Sequence, residues 1–170
     1  MADDLNVRPL RARSITAALG VYLFSLSLWM GGLIVLGAIV APTVFRIVPA
    51  PSSADAMTIV FRKFDAVAIS CALVCLFAEA VMAWRGGKAT RLDLVRSVTL
   101  VVASACAITV GAWLSPAIQA LHRSGAIRSF GPDGTALERL HRIAESTAKA
   151  ELFFLAAVLV LTLLRARRPT

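Results

Sequence analysis

The longest apolar stretch of this chain is ITAALGVYLFSLSLWMGGLIVLGAIVAPTV, residues 15–44. No charged residue lies between Arg13 and Arg46. A membrane-spanning helix needs roughly 20 mostly apolar residues, so this stretch is long enough to cross a bilayer. A helix of a soluble bundle would show a polar face, whereas the hydroxyl side chains here are few. The apolar core of a cleaved signal peptide would be shorter, about 7–15 residues.

Three more apolar blocks follow, at residues 66–84, 97–121 and 152–164. The first of these contains Glu79, and the last is long enough only when Lys149 and Glu151 are included. We therefore predict an all-α integral membrane protein, a four-transmembrane-helix bundle. Its single domain covers residues 14–164 and lies between an N-terminal segment, 1–13, and a basic tail, 165–170. The four predicted spans cover about 15–42, 64–84, 97–119 and 146–164.

The composition excludes other classes of protein. The chain has 170 residues, of which 58% are hydrophobic and 16% charged, with a net charge of +8. Such a low charge content excludes a disordered chain, and three cysteines argue against a disulfide scaffold. The basic residues lie between apolar blocks and form no single wet face, so we predict a lipid bilayer as the partner and no nucleic acid.

The basic residues also predict the orientation. With the N-terminus inside, the inner segments carry Lys and Arg at about twice the density of the outer segments, as the positive-inside rule requires. We predict that both termini are cytoplasmic (N-in, C-in). The excess of Arg over Lys and the abundant alanine indicate a GC-rich bacterial genome, and hence the inner (cytoplasmic) membrane.

The loops predict where the helices end and begin. Pro42 and Pro116 are predicted to end the first and third spans, because proline lacks the amide that continues a helix. Thr135 and Glu138 fit a capping box, so the fourth helix is predicted to begin there. The second and fourth helices would then be about 30 residues long, more than a bilayer needs, and their first turns would project outside.

The two halves of the chain align with each other. Residues 37–42 align with 111–116, and 61–65 align with 137–141. In the second alignment Asp65, Ser70 and Cys75 correspond to His141, Ser146 and Glu151. We interpret this as one helical hairpin used twice in the same orientation, with chance likeness of apolar segments as the alternative.

Small residues recur every four positions, as in Ala103, Ala107, Gly111 and Ser115, and again in Ser27 and Gly31. In lipid, such stripes allow helices to approach closely. The alternative for Gly31 and Gly32, beside Trp29, is a local kink or a thin cavity wall. The predicted packing motif is Trp29, Gly31, Gly32, Pro42, Gly111 and Pro116.

Glu79 is an ionisable residue inside the second span. It is either a carboxylate near the inner interface, paired with Arg85 or Arg96, or a proton or cation site. Cys71, Cys75 and Glu79 share one helix face with Met82, and sulfur ligands suit soft cations. Cysteine is also a small residue that is often simply buried, so Cys71 and Cys75 are weak metal candidates and no metal is predicted with confidence.

The fourth helix carries the densest polar set, and its best candidate site is His141, Glu145, Ser146 and Glu151. Glu145 and Lys149 have the spacing of a helical ion pair, and Thr147 could donate to Glu151. A single histidine near the solvent-exposed start of a helix commonly has a structural role, and this is the alternative interpretation of His141.

Several enzyme classes are excluded by the motifs that the chain lacks. The chain has two histidines, His122 and His141, which cannot supply bis-histidine haem ligation across four helices. A phosphate-binding glycine loop, a serine nucleophile elbow and the His-x-x-x-His zinc spacing are missing. We predict no enzyme activity and no cofactor.

The motifs resemble a known family. Four motifs occur in the order seen in a small four-helix membrane family related to animal transmembrane protein 205. They are Trp29-x-Gly31-Gly32, Ala41-Pro42-x-x-Phe45, Phe61-Arg62-x-Phe64, and Leu140-His141 followed by Ser146 and Glu151. The bacterial members form a domain of unknown function. The resemblance covers residues 23–164 and departs at Asp65, where the family is often aromatic or Arg-rich, and in the cysteine face. It implies an integral membrane protein and supplies no substrate.

The predicted function is transport or permeation of a small cation or proton, using Glu79 and the polar set of helix four. The alternative is a non-catalytic membrane scaffold, as a homo-oligomer or with a membrane partner, whose small-residue stripes are interfaces. A polar cavity reaching Glu151 and His141 would favour transport, and a solid bundle with an exposed small-residue groove would favour the scaffold.

Overall fold

The computed structural model describes residues 3–49, 52–85, 90–127 and 130–166. Every regular element in these ranges is helical. The helices are α1 (Asp3–Val35), α2 (Ala41–Ile47), α3 (Ser52–Arg85), α4 (Arg91–Ile108), α5 (Ser115–Arg123) and α6 (Gly131–Ala166). Two π-helical segments, Leu36–Val40 and Thr109–Leu114, join α1 to α2 and α4 to α5. The predicted N-terminal segment is thus helical from Asp3, and the predicted tail is described only as far as Ala166.

The helices form an up-and-down bundle. The closest pairs are α1 with α3 and α4 with α6, and the bundle closes through contacts of α3 with α4 and of α1 with α6. We call the end that holds the start of α1 and the end of α6 the terminal end, and the opposite end the hairpin end. The core between the helices is built from large apolar side chains and small ones, among them Tyr22, Leu26, Trp29, Leu100, Ala103, Leu155 and Val158.

Four continuous helices are long and apolar enough to cross a membrane: Arg13–Ile47, Ser52–Arg85, Arg91–Arg123 and Gly131–Ala166. The outside of the bundle is apolar as well, with exposed aromatic side chains that include Phe24, Phe77, Trp113 and Phe153. Exposed apolar patches of this extent are typical of proteins surrounded by lipid. The prediction of an all-helical, four-helix protein of membrane type is therefore confirmed.

The prediction that Pro42 and Pro116 end their helices is wrong. Each proline lies in the first turn of a helix that continues beyond it, α2 or α5. The π segments provide the reason, because the amides of Ala41 and Ser115 reach back five residues, to the carbonyls of Leu36 and Val110. A proline ring normally clashes with the carbonyl four residues earlier, and the widened turn relieves that clash.

The predicted start of the fourth helix is also wrong. Helix α6 begins at Gly131, four residues before Thr135, and the Thr135 hydroxyl donates to the Gly131 carbonyl inside the helix at 2.8 Å. A threonine within a helix commonly bonds backward in this way. A complete capping box occurs instead at the start of α4, where Thr90 and Asp93 accept from each other's amides. That motif was present in the sequence and was overlooked.

Two glycines of the predicted packing motif make close helix contacts. A Cβ atom added to Gly32 would lie 2.3 Å from Phe64 Cε2 on α3. One added to Gly111 would lie 2.9 Å from Ile69 Cδ1 and 3.1 Å from Asp65 Cβ. Gly31, by contrast, has open space on its outer side. Helix α1 runs unbroken through both Gly31 and Gly32, so neither glycine forms a kink, and only Gly32 serves close approach to α3.

The adjacent glycines give a matched test of this packing. Gly32→Ala is expected to lower the free energy of unfolding by about 1–2 kcal/mol, because the methyl group forces the Phe64 ring to move. Gly31→Ala is expected to be neutral or to stabilise by up to about 1 kcal/mol, since alanine is the better helix former. Denaturant unfolding of the detergent-solubilised protein measures both. Equal effects of the two substitutions would contradict the proposed contact.

Candidate functional site

The most deeply buried acidic side chain is Glu151 of α6, which is 2% exposed. The indole N–H of Trp29, itself fully buried, donates to its Oε1 at 2.7 Å. Thr147, the predicted donor, is not its partner, because the Thr147 hydroxyl donates to the carbonyl of Ile143 at 2.9 Å. Among the described residues, no Lys or Arg lies within ion-pair distance of Glu151.

The contact with Trp29 fixes the depth of Glu151 in the bundle. Trp29 lies midway along the uncharged interval between Arg13 and Arg46. It lies sixteen positions after Arg13 and seventeen positions before Arg46, which corresponds to about 25 Å of helix on either side. From the sequence, Glu151 was expected near the outer margin of its span, whereas the structure places it beside the middle of the first helix.

The other residues of the predicted helix-four site do not join Glu151. Glu145 and Ser146 are exposed on the outer face of α6, and Glu145 accepts from Lys149 at 2.7 Å, which confirms that predicted pair. His141 lies nearer the hairpin end, where its ring meets that of His122 edge-on, with 5.7 Å between centroids. Helical spacing placed these residues on neighbouring turns, but the rotation of α6 buries Glu151 and exposes Glu145.

Asp65 forms a second polar contact inside the hairpin half of the bundle. The hydroxyl of Ser115, at the start of α5, donates to Asp65 Oδ2 at 2.5 Å. Gly111, one turn earlier, allows the helices to approach closely enough for this bond. Asp65 follows Phe64, which packs on Gly32, so Asp65 lies about one helical turn from the level of Trp29 and Glu151.

Glu79 lies in a buried ion pair near the terminal end. Its Oε1 accepts from Arg96 Nη2 at 2.9 Å, from Arg96 Nε at 3.3 Å and from the Ser97 hydroxyl at 2.5 Å. Glu79 is 7% exposed and Arg96 is 3% exposed. Of the two partners predicted for Glu79, the structure selects Arg96. The guanidinium also lies over the ring of Tyr22, 5.8 Å from its centroid, so the cluster joins α1, α3 and α4.

A second ion pair at the terminal end was not predicted. Arg165 of α6 contacts Asp93 Oδ1, and Asp93 Oδ2 accepts from the amide of Thr90 at 3.0 Å. Asp93 therefore caps α4 and also ties it to α6. The spacing of Thr90 and Asp93 indicates a capping box and so marks Asp93. No local pattern links Asp93 to Arg165, which lies 72 positions later.

The cysteine face of α3 is buried. Cys71, Cys75, Glu79 and Met82 all point into the bundle, and the Cys75 thiol donates to the Tyr22 carbonyl at 3.6 Å. In the part of the chain that the structure describes, no three His, Cys, Asp or Glu side chains are grouped so that they could hold a metal ion. This geometry favours packing as the role of Cys71 and Cys75.

A half-buried side chain, Asp65, and several buried polar ones follow one another along the bundle. Ser25 and Tyr22 lie four and seven residues from Trp29 on α1, about 6 and 10 Å closer to the terminal end. Both are buried. We call the series Asp65, Glu151, Ser25, Tyr22 and Glu79 the interior lane.

A shallow, open depression on α6 is separate from the interior lane. It is lined by Thr135, Ala136, Arg139, Leu140 and Ile143. None of the lane residues lines it, so this depression is not the polar cavity to Glu151 and His141 that would favour transport.

Comparison with known proteins places the sequence in a family. Residues 24–126 match a family described as Domain of unknown function (DUF4149). The matched region contains Trp29, Glu79 and Arg96, and it ends before α6 and Glu151. No curated protein and no solved structure matches the chain. The match agrees with the predicted family of unknown function, while the relation to animal transmembrane protein 205 stays a prediction.

Proposed function

The chain belongs to the DUF4149 family, and we propose that it is a membrane permeation component that moves protons or small cations along the interior lane. Glu151 is the central ion-binding residue of this pathway. Asp65 lies towards the hairpin end, and Ser25, Tyr22 and Glu79 lie towards the terminal end. About one helical turn separates neighbouring levels of the lane, a gap that about one or two water molecules can bridge.

The observation that supports this proposal best is the environment of Glu151. A carboxyl group in the middle of a membrane protein costs free energy unless it binds a proton or pairs with a cation. Its hydrogen-bond donor, the Trp29 indole, carries no charge, whereas Glu79 is neutralised by Arg96. Glu151 is therefore the lane residue with both the chemistry and the depth for reversible binding of a positive ion.

The proposal includes an orientation and an evolutionary origin. The terminal end, with its higher density of basic residues, faces the cytoplasm, and the membrane is a bacterial inner membrane. The bundle arose from one hairpin used twice. In support, the pairs α1–α3 and α4–α6 are the closest in the bundle, and a π segment precedes each of the aligned prolines, Pro42 and Pro116.

Glu151→Gln is expected to reduce ion flux by at least about tenfold, because the amide keeps the shape of the side chain but cannot take up and release a proton. Purified protein in liposomes, with a panel of monovalent and divalent cations and a pH-sensitive dye inside, measures the flux. Glu145→Gln is the matched control, since Glu145 is an exposed glutamate on the same helix. It is expected to leave the flux unchanged.

The second candidate function is a non-catalytic scaffold, as a homo-oligomer or with a membrane partner. One observation favours it: Gly20 and Ser27 are exposed and Gly31 is half-exposed on one face of α1. No described neighbour lies within 4 Å of a Cβ built on Gly20 or Gly31. Small residues in this arrangement allow another helix to approach closely. Absence of flux for every ion in the panel would contradict the permeation proposal and favour the scaffold.

A further inference from the structure

In the part of the chain that the structure describes, two buried polar atoms near the terminal end have no hydrogen bond. They are the hydroxyl oxygen of Tyr22 and Oε2 of Glu79. Tyr22 is fully buried, and Glu79 is 7% exposed. Leaving such a group unsatisfied costs about 1–3 kcal/mol, so native proteins commonly supply a partner, often an ordered water.

Both atoms belong to side chains that flank one guanidinium group. Arg96 lies over the Tyr22 ring and holds Glu79 through Oε1, which leaves Oε2 as the free acceptor. The carboxylate charge is already balanced by Arg96. The Tyr22 phenol also faces the Thr162 hydroxyl of α6, which itself donates to the Val158 carbonyl at 2.8 Å, so the phenol oxygen can still accept a hydrogen bond. The missing partner is therefore a small neutral molecule that can donate both to Oε2 and to the phenol oxygen.

We propose that a water molecule is bound between Tyr22 and Glu79, and that the ion carried along the interior lane is the proton. The water site stands on the buried atoms alone, and the identity of the ion rests on the proposed function. A metal cation in the same place would require several oxygen ligands, whereas the other described groups that face Glu79 are the Cys75 thiol, the Ser97 hydroxyl and the Tyr22 phenol.

A proton can pass through such a bound water while the composition of the site stays the same. The water oxygen gains an O–H bond to the arriving proton and loses an O–H bond as a different proton leaves. No electrons are transferred, and the water regains its starting state once its hydrogen bonds reorient. A metal ion could pass only by shedding most of its hydration shell, for which the site offers few oxygen ligands in exchange.

X-ray radiolytic labelling with mass spectrometry tests the water site directly, because a buried side chain is oxidised by radicals formed from water bound next to it. In the full-length protein in lipid nanodiscs, we expect Tyr22 to be labelled although it is fully buried. The variant Glu79→Leu/Arg96→Leu, which removes the site and keeps the charge balance, should lose most of this labelling. Equal labelling of Tyr22 in the two proteins would overturn the water site.

Rapid mixing with H₂¹⁸O provides a second readout on the wild type, which is needed if the double variant does not fold. After mixing, the ¹⁸O content of oxidised Tyr22 is expected to rise more slowly than that of oxidised Trp84, which is exposed. Exchange at the same rate would show bulk solvent at Tyr22 and overturn the bound water.

The identity of the ion is tested in the liposome assay. Proton flux driven by a potassium diffusion potential, without uptake of Na⁺ or divalent cations, is the expected result. Metal-ion flux without proton flux would overturn the choice of ion and leave the proposed function standing. No flux of any kind would overturn the proposed function and the proton with it, whereas the labelling result would still decide the water site.

Discussion

Replacing Arg96 with methionine is expected to lower the free energy of unfolding by about 3–5 kcal/mol, which is the usual cost of leaving a buried charge without its partner. Arg96 is 3% exposed, and its loss would remove two of the three hydrogen bonds that Glu79 Oε1 accepts. The double substitution Arg96→Met/Glu79→Leu is expected to recover most of the loss, because apolar residues often replace a buried ion pair without cost.

The chain contains a matched control for this substitution. Arg142 and Glu138 form an ion pair of 3.7 Å on the surface of α6, where the Arg142 side chain is 75% exposed. Arg142→Met is expected to change the free energy of unfolding by less than about 1 kcal/mol. Denaturant titration in detergent micelles measures all four proteins. If Arg96→Met lowers the free energy of unfolding no more than Arg142→Met does, the Glu79–Arg96 ion pair does not hold α3 and α4 together.

Trp29→Phe is expected to destabilise the protein by about 1–3 kcal/mol, because the buried carboxyl of Glu151 loses its hydrogen-bond donor. Phenylalanine retains part of the ring volume, so the larger part of the effect should come from the lost N–H. Adding Glu151→Leu in the same protein is expected to restore stability, since no unsatisfied acceptor then remains. A double-mutant cycle by denaturant unfolding gives the coupling between the two residues.

Trp113→Phe provides the same chemical change at an exposed position. It is expected to alter the stability by no more than about 0.5 kcal/mol. A coupling energy near zero between Trp29 and Glu151 would show that the bond at 2.7 Å contributes little, and it would remove the main reason for placing Glu151 at the centre of the lane.

Part of the candidate site could be predicted from the sequence. Glu79 and Glu151 were recognised because an ionisable residue inside an apolar block is rare and costly. Arg96 was one of two partners predicted for Glu79, as both basic residues lie near the turn between the second and third spans. Gly111 was recognised as a packing residue from the spacing of small side chains, whereas Gly32 was included only as part of the segment with Trp29 and Gly31.

Other contacts could not be predicted, because they depend on how each helix is rotated about its axis. Thr147 lies one turn from Glu151 and was the obvious local donor, yet its hydroxyl bonds its own backbone. The actual donor, Trp29, is 122 residues away in the chain. His122 of α5 and His141 of α6 meet at the hairpin end, a contact that no local pattern predicts.

The sequence by itself determined that the chain forms four long apolar helices, because the preference of a segment for lipid is a sum over its own residues. It also determined which few ionisable groups would be buried at a cost. The tertiary structure alone decided which of them meet. In a soluble protein the polar face of a helix marks the side that turns outward, but a helix in lipid is apolar on all sides. The inward face, and with it the pairing of Glu151 with Trp29 and of Glu79 with Arg96, is therefore fixed by interhelical packing and hydrogen bonding.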